Sequence, residues 1–321
     1  MKVKDAVYGC CSIEEPVLVE LINSKSIQRL KGIAQYGLPD DLYAMKGFSR
    51  YVHSVGVMLL LKKMGAGLEE QIAGLTHDAS HTAFSHLIDL VMGNMEKEDF
   101  QDNNHEKFIL NSEIPRILSK NGIDTGRVID VHKFGLLERD APDLCADRID
   151  YALRDFVFDR GAVRPCLDNL TAYDGKLIFA SEKAAEKFGF GYMKCQMEHW
   201  SGPEPKIRWN LFAQALRIAL DNRIVSKEDF YETDSYVISK LKKSKNAEIL
   251  GLLKTLSGKI KYEFVEENPQ IYSRNKWRFV DPEYLEEGVV YRLSEVSAEY
   301  RGLLKSMKTK HDKGIKVNLL D

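Results

Sequence analysis

Five of the eight histidines of this 321-residue chain, His53, His77, His81, His86 and His105, lie between positions 53 and 105, where uniform scattering would put about one. Residues that suit metal and phosphate chemistry stand around them. Arg50 and His53 are three apart, a spacing that places both side chains on one helix face. His77 and Asp78 are adjacent, and adjacent helical residues point about 100° apart, so this pair serves one ion only near a helix end or between helices. His81 lies four beyond His77, and His86 with Asp89 repeats the spacing of three, which reads as further helical faces. A third piece runs from Asp147 to Phe156. At 100° per residue Asp147, Tyr151 and Asp155 form a polar front, and Ile149, Ala152, Leu153 and Phe156 an apolar back. Asp150 and Arg154 make an i,i+4 pair, which suits a solvated helix face.

Two imidazoles and two carboxylates, His53, His77, Asp78 and Asp147, make a divalent-metal set. It suits iron, manganese, nickel, zinc or magnesium and leaves positions for water and substrate. A bound metal lowers the pKa of its water and supplies hydroxide near neutral pH. Each piece alone has a plainer reading. A lone histidine on an amphipathic helix is usually structural, and a His-Asp dipeptide occurs by chance. The weight lies in the joint pattern.

These residues need elements to hold them. Ser12 with Glu15 reads as a capping box before a first helix. Asn23 or Ser24 can cap a second, with Ile27, Leu30, Ile33 and Ala34 at helical spacing until Gly37 and Pro39 stop it. Arg50 to Met64 is a strong amphipathic helix ending near Gly65, and Glu69 to His77 is the next. Residues 93–104, rich in acids, read as a polar loop and a candidate lid. Helices resume from His105 and around Asp143 to Asp159. Past Arg164-Pro165 the character changes. Leu170 to Phe179 reads as a hairpin, because Asp174-Gly175 suits a type I′ turn between strand-forming runs. Helix returns from Ser181, and Trp209 to Asn222 is another. Near the end, Lys276 to Val280 and Gly288 to Arg292 read as β-rich runs, with a helix near 294–309. The expected class is mostly α, with a smaller α+β region in the C-terminal part.

Composition excludes several function classes. Apolar residues are 44 % and charged residues 29 %, the balance of a globular protein. No apolar run approaches the roughly 20 residues that span a bilayer, and the N-terminus has no apolar signal core. We therefore expect a cytoplasmic protein without a membrane partner. The net charge of -2 gives no broad attraction for nucleic acid. Five cysteines without framework spacing read as reduced thiols, and no Cys-x-x-Cys offers a zinc finger.

The pattern His53…His77-Asp78…Asp147 resembles the metal signature of the HD-domain phosphohydrolases. The run His77-Asp-Ala-Ser-His-Thr-Ala-Phe-Ser-His86 is similar to one subgroup, the deoxynucleoside triphosphate triphosphohydrolases. So are Gln28 to Gly37, Arg50-Tyr-Val-His-Ser-Val-Gly-Val57 and Asp147-Arg-Ile-Asp-Tyr-Ala-Leu-Arg-Asp155. The resemblance covers roughly residues 5 to 165 and is fainter beyond, at Trp209 to Leu220 and Thr233-Asp234. It implies an HD-type helical bundle over 1–165, with a C-terminal helical and α+β region over 166–321 packed on it. It implies that His53, His77, Asp78 and Asp147 bind the metal and that His81, His86, His105 and Asp89 line the site. Gln35, Arg50, Arg148, Tyr151 and Asp155 would then contact the sugar and phosphates. A homodimer is a further expectation of the resemblance.

The residue types agree with that chemistry. Arg50 and Arg148 can neutralise charge on the non-bridging oxygens of a phosphoester transition state, while metal hydroxide attacks phosphorus. His86 or His105, with Asp89 orienting the imidazole, suits protonation of the leaving oxygen. Two departures stand out. Where relatives have Gly before the second histidine of the long motif and then Gly-Pro, this chain has Ser80 and Thr82-Ala83. Where they have a basic residue and a tyrosine around 185–200, the register places Gly189 and Met197, with Lys187 and Lys194 as the nearest basic side chains. The second departure counts against a triphosphate and leaves metal-dependent phosphoester hydrolysis untouched. The leading expectation is a nucleotide phosphohydrolase, in its most specific form a dNTP triphosphohydrolase. The alternatives are a nucleoside monophosphate or other small-phosphoester phosphatase and, in another class, a non-catalytic nucleotide or metal sensor.

Overall fold

The computed structural model describes residues 1–43, 47–93, 98–156 and 159–320, and 55 % of the chain is helical. A hairpin of β1 (Lys2–Asp5) and β2 (Gly9–Ser12) leads into α1 (Pro16–Ile22) and α2 (Lys25–Arg29). The histidine-bearing half continues with α3 (Arg50–Lys63), α4 (Leu68–Thr76), α5 (Leu87–Met92), α6 (Phe100–Leu110), α7 (Ile114–Lys120) and α8 (Thr125–Val128). It closes with α9 (Ala146–Asp155) and α10 (Arg160–Asp168). Next come β3 (Leu170–Tyr173), β4 (Lys176–Phe179), α11 (Glu182–Cys195), α12 (Pro203–Asp221), α13 (Asp234–Lys243) and α14 (Ala247–Leu256). The chain ends with β5 (Lys261–Phe264), β6 (Ile271–Ser273), β7 (Glu283–Glu286), β8 (Val289–Arg292), α15 (Leu293–Val296), α16 (Ala298–Lys313) and β9 (Ile315–Leu320).

The β structure is confined to small sheets. One has the order β3-β4-β7-β8, with β4 and β7 parallel, and another has β9 between β5 and β6. The β3-β4 hairpin turns at Asp174 and Gly175, both at positive φ (46° and 70°), as a type I′ turn requires.

Local signals set several helix starts. Ser24 accepts a hydrogen bond from Ile27 N to open α2, and Ser49 accepts one from Val52 N to open α3. Other expectations give way. Ser12 ends β2, and Glu15 precedes α1 without a capping side-chain bond, because Pro16 already fixes the first helical φ. α2 stops at Arg29, and a 3₁₀ turn over Leu30–Gly32 follows. Of the expected polar loop 93–104, residues 94–97 lie outside the described residues. Phe100 already begins α6, so His105 sits mid-helix rather than opening one. Lys276 to Val280 is irregular, not a strand. The helix near 294–309 is two helices, α15 and α16.

The core joins the two halves of the chain. Val57, Leu60 and Leu61 of α3 and Ile149 and Leu153 of α9 share one buried cluster with Phe179 of β4 and Phe188 and Tyr192 of α11. A second cluster packs Phe84 and Leu87 against Phe212 and Leu216 of α12. The Phe84 and Phe212 rings meet edge to face at 4.8 Å.

α3 and α9 approach each other at Gly56. A Cβ there would collide with the Arg154 guanidinium and the Asp150 carboxylate. Both of those groups are buried and paired. Gly56→Ala gains about 1 kcal/mol of helix propensity. Overpacking costs about 1–3 kcal/mol, and forcing a buried pair apart costs about 3–5 kcal/mol. We expect Gly56→Ala to lower the unfolding free energy by about 2 kcal/mol or more in urea titration, whereas Gly251→Ala, with open space at its Cβ, stabilises or is neutral.

Candidate active site

The centre is built from three helices. α3 carries Arg50 and His53 inward on one face, and both are buried. α4 ends at Thr76, which leaves His77 as its last capping residue and Asp78 in the turn that follows. This is the helix-end arrangement that an adjacent His-Asp pair needs to face one point. α9 presents Asp147 from its first turn. His53 Nε2 lies 2.8 Å from Asp147 Oδ1, 3.3 Å from His77 Nε2 and 3.8 Å from Asp78 Oδ2. His77 Nε2 lies 3.5 Å from both Asp78 Oδ1 and Asp147 Oδ1.

The donor set fits a divalent cation on its own chemistry. His53 Nδ1 is 2.7 Å from Asp150 Oδ2, and His77 Nδ1 is 2.7 Å from the Gly74 carbonyl. Both partners accept hydrogen bonds, so each Nδ1 carries the proton and each Nε2 presents its lone pair to the centre. Two such lone pairs facing each other and two carboxylates repel unless a positive charge stands among them. Burial pulls the His53 pKa down, but Asp147 and Asp150 override it and hold the group at about 9. Asp78 is well below the usual carboxylate range, because Arg50, His77 and His81 outweigh its burial. A positive charge is therefore favoured at this point, either a proton on His53 Nε2 or a cation that displaces it and takes the lone pair.

Asp150 is the residue that the sequence reading misplaced. Its pair with Arg154 is not solvated, since both side chains are buried. Arg154 Nε and Nη2 reach the Asp150 carboxylate at 2.8 and 2.9 Å, and Arg154 Nη2 also reaches Asp5 Oδ2 at 2.9 Å. Tyr8 donates its hydroxyl to Asp150 Oδ1 at 2.8 Å. The carboxylate thus orients His53 from behind. The i,i+4 spacing to Arg154 was visible, and only the burial was not.

The segment between α4 and α5 is a turn rather than a helix, so His81 and His86 do not lie on the expected helical faces. Phe84 and Ser85 both have positive φ (66° and 48°), which non-glycine residues hold only when their surroundings compel it. Phe84 N donates to Asp234 Oδ1 at 2.8 Å, Ala83 N to the Phe230 carbonyl at 2.7 Å, and Ser85 Oγ to the Ala34 carbonyl at 2.7 Å. Arg50 is tied into this turn, with Nε on Ser85 Oγ and Nη1 on Asp78 Oδ2, both at 2.9 Å. Ser80, one of the departures, lies 3.1 Å from His105 Nδ1 and accepts from Gln101 Nε2 at 2.9 Å. It helps fix the His105 ring.

A cavity of about 860 Å³ opens in front of the centre. Every residue of the expected site lines it except His53 and Asp89, which lie behind the wall. Asp89 Oδ2 stands 3.5 Å from His86 Nδ1, beyond a formed hydrogen bond. Burial pushes His81 and His86 down to about 3 and His105 to about 4, so all three imidazoles are neutral near pH 7. Gln35 Oε1 and His105 Nε2 are buried without a hydrogen-bond partner. Arg148 is held by its own loop, donating to the Asp143 carbonyl at 2.7 Å and the Arg139 carbonyl at 2.9 Å. Tyr151 shares a 2.6 Å hydroxyl contact with Tyr192. Asp155 has both oxygens engaged, one by the Tyr36 hydroxyl and one by Trp200 Nε1 at 2.6 Å.

Other wall residues carried no clear signal. A π-helical turn over Gln196–Trp200 brings in His199, whose ring packs against Tyr36 at 4.4 Å and Tyr43 at 5.8 Å. Glu138 and Cys145 stand beside Asp147, but burial raises the Cys145 thiol and keeps it protonated. Arg278 enters from the irregular segment that had read as a strand and pairs with Glu98. Neither Lys187 nor Lys194 lines the cavity, and Gly189 packs in the core against Tyr300.

Comparison with known proteins bears on this site. No family model matches the chain. It is 38 % identical over 327 residues to the uncharacterized protein YdhJ of Bacillus subtilis, covering 100 % of this chain and 99 % of that one. It is 41 % identical over 211 residues to the metal-dependent phosphohydrolase cns2 of Cordyceps militaris, covering 63 % of this chain and 61 % of the fungal protein. Deoxynucleoside triphosphate triphosphohydrolase SAMHD1 of Xenopus laevis matches at 33 % over 105 residues, or 28 % of this chain and 16 % of that protein. The fold is shared with a phosphohydrolase from Bacteroides thetaiotaomicron, with a TM-score of 0.71 at 16 % identity over 99 % of this chain and 98 % of that one. No helix among the described residues is long and apolar enough to cross a membrane. The paired imidazoles and carboxylates on α3, α4 and α9 accord with these relatives: the chain is a hydrolase of the HD-domain metal-dependent phosphohydrolase superfamily.

Proposed function

We propose that the protein hydrolyses a phosphoester of a nucleotide, with dNTP triphosphohydrolysis as its most specific form. The observation that carries this reading is the convergence of the His53 and His77 Nε2 lone pairs with Asp78 and Asp147, beside a buried Arg50 only 2.9 Å from Asp78. His53, His77, Asp78 and Asp147 would hold a divalent ion, which when bound supplies a Lewis acid and a more acidic water. Arg50 holds negative charge on the phosphoryl oxygens, and its tie to Ser85 keeps its planar fork oriented. Arg148 adds positive charge at the α9 side of the cavity. His86 or His105 gives the proton to the leaving oxygen. Both are neutral in the free protein, and an entering phosphate raises their proton affinity by placing negative charge beside them. Gln35, His81 and Tyr151 face the ligand. The partial match to SAMHD1 supports the dNTP version.

A second reading rests on Asp155. Its carboxylate already accepts from Tyr36 and Trp200, which leaves it poorly placed to bind a sugar hydroxyl. That favours a small phosphoester that makes no demand for a sugar-hydroxyl contact at Asp155.

Product analysis by mass separates the two. With Mn²⁺, the first reading expects nucleoside plus tripolyphosphate from a dNTP, and the second expects orthophosphate from simple phosphomonoesters and no cleavage of dNTPs. In either case His77→Ala with Asp78→Ala should lower kcat by about 10³-fold or more, because several kcal/mol of charge stabilisation is lost. Activity that survives this double substitution would remove the metal reading. Asp150→Asn keeps the shape but weakens the orientation of His53. We expect metal affinity to fall about 10–100-fold in a Mn²⁺ titration, with the far-UV circular dichroism unchanged.

A further inference from the structure

We propose that Arg278, carried by the C-terminal half of the chain, binds a second anionic group of the substrate, a phosphate beyond the reacting one. This inference rests on the phosphohydrolase reading of the cavity and names a substrate class for it, a phosphoester that bears a phosphate chain.

The segment that carries Arg278 belongs to no strand or helix, yet it is pinned along its length. The Asn275 carbonyl lies 2.8 Å from His311 Nε2, and the Asn275 side chain bonds Ser201 Oγ. Trp277 stacks on Phe279 at 5.7 Å and packs on His311 at 5.0 Å. Val280 accepts from the Tyr300 hydroxyl at 2.6 Å, and Asp281 N donates to the Pro142 carbonyl at 3.0 Å. An irregular backbone held this firmly from both sides is a rigid support for a side chain that points inward.

The guanidinium reaches the wall of the same cavity that Arg50, His86 and Tyr151 line. Its charge is felt at His86 and at the Tyr151 and Tyr192 hydroxyls. Arg278 Nη2 pairs with Glu98, which is almost fully buried. Among the described residues its Nη1 and Nε make no protein hydrogen bond. A guanidinium that served only to neutralise Glu98 would have no reason to leave part of its fork turned to the cavity. Glu98 is held in place independently, because Lys276 N also donates to its Oε1 at 3.2 Å. The Nη2 hydrogen that Glu98 does not take completes a fork with Nη1 or with Nε, and a phosphate group accepts two parallel N–H bonds from such a fork. An arriving phosphate shares Arg278 with Glu98 without requiring that pair to break. The placement also answers the departure at 185–200, since a cation absent there enters from a later segment of the chain.

The test is calorimetric titration of inorganic tripolyphosphate and of orthophosphate into the full-length chain as purified, with no metal added. The wild type should bind tripolyphosphate more tightly than orthophosphate. Arg278→Gln should weaken tripolyphosphate about 10-fold or more, the worth of a charge-assisted pair, and orthophosphate by less than about twofold. Removing Arg278 alone leaves Glu98 buried without its cation, so the single variant is paired with Glu98→Gln/Arg278→Gln, which removes both charges. The double variant should melt near the wild type and still show the loss. Unchanged tripolyphosphate binding in Arg278→Gln, recovery of that binding in the double variant, or no preference in the wild type would each overturn the proposal. A chain that hydrolyses no phosphoester yet binds tripolyphosphate through Arg278 would refute the proposed reaction and leave this anion site standing.

Discussion

Asp150 is completely buried between helices, where an unpaired carboxylate costs several kcal/mol. It is tolerated because the Tyr8 hydroxyl, His53 Nδ1 and two nitrogens of Arg154 converge on its two oxygens. Much else follows from that requirement. Arg154 fits only because position 56 has no Cβ, so α3 and α9 must touch there. The Asp150 acceptor places the proton of His53 on Nδ1, and Nε2 is left to face the centre. Fixing Asp150 against α3 also fixes the rotation of α9 about its axis. Asp147, three residues earlier, and Tyr151 and Asp155 then face the cavity together. The site therefore depends on a group that does not reach the cavity, and the interaction that orients a ligand is the same one that locks two helices.

The electrostatics divide the cavity. On the α3, α4 and α9 side, Asp78, Asp147 and Asp150 concentrate negative charge against Arg50 and Arg154. This raises His53 in spite of its burial, and Asp78 remains ionised. On the neighbouring wall burial dominates instead, and His81, His86 and His105 are neutral. One residue type thus performs two kinds of work within one cluster. The difference lies in whether the carboxylates beside a ring outweigh its burial and the neighbouring arginines, not in where it falls in the sequence. His53 meets Asp147 and Asp150 directly. His81 meets Asp78 at 3.2 Å with Arg50 opposing it, and His105 meets the Ser80 hydroxyl.

What was legible in the sequence has a physical boundary. Spacing along a helix is a local property, so the polar front of α9 and the inward pair on α3 could be read from 100° steps. The β3-β4 hairpin was equally legible, because Asp-Gly states its own backbone geometry. Burial is not local. The Asp150–Arg154 pair has the spacing of a solvated surface pair, and only the packing of α3 on α9 makes it internal. Backbone that departs from periodic structure is invisible to periodicity. Within the turn from His77 to His86, Phe84 and Ser85 stand at positive φ, beside bonds from Phe84 N and Ala83 N to Asp234 and Phe230, some 150 residues away in the chain. Tertiary contacts there override the helical spacing of the histidines. The alternation in Lys276-Trp277-Arg278-Phe279 imitates a strand for the same reason. Its apolar members pack on His311 and on each other rather than on a sheet.

This boundary coincides with a division of chemical labour. Arg50, His53 and Asp147 sit on regular helices, where spacing guarantees their mutual geometry, and His77 and Asp78 follow at a helix end. Other parts of the cavity wall sit on irregular backbone: Gln35 after a 3₁₀ turn, His199 and Trp200 on a π-helical turn, and Arg278 on a pinned segment. Helical geometry tolerates few changes before the ligating atoms part, whereas an irregular segment can be rebuilt without moving α3, α4 or α9. Membership of the superfamily therefore speaks for the kind of bond that is cleaved. The shape of the cavity that receives the rest of a molecule depends as well on the parts of the wall that lie outside the helices.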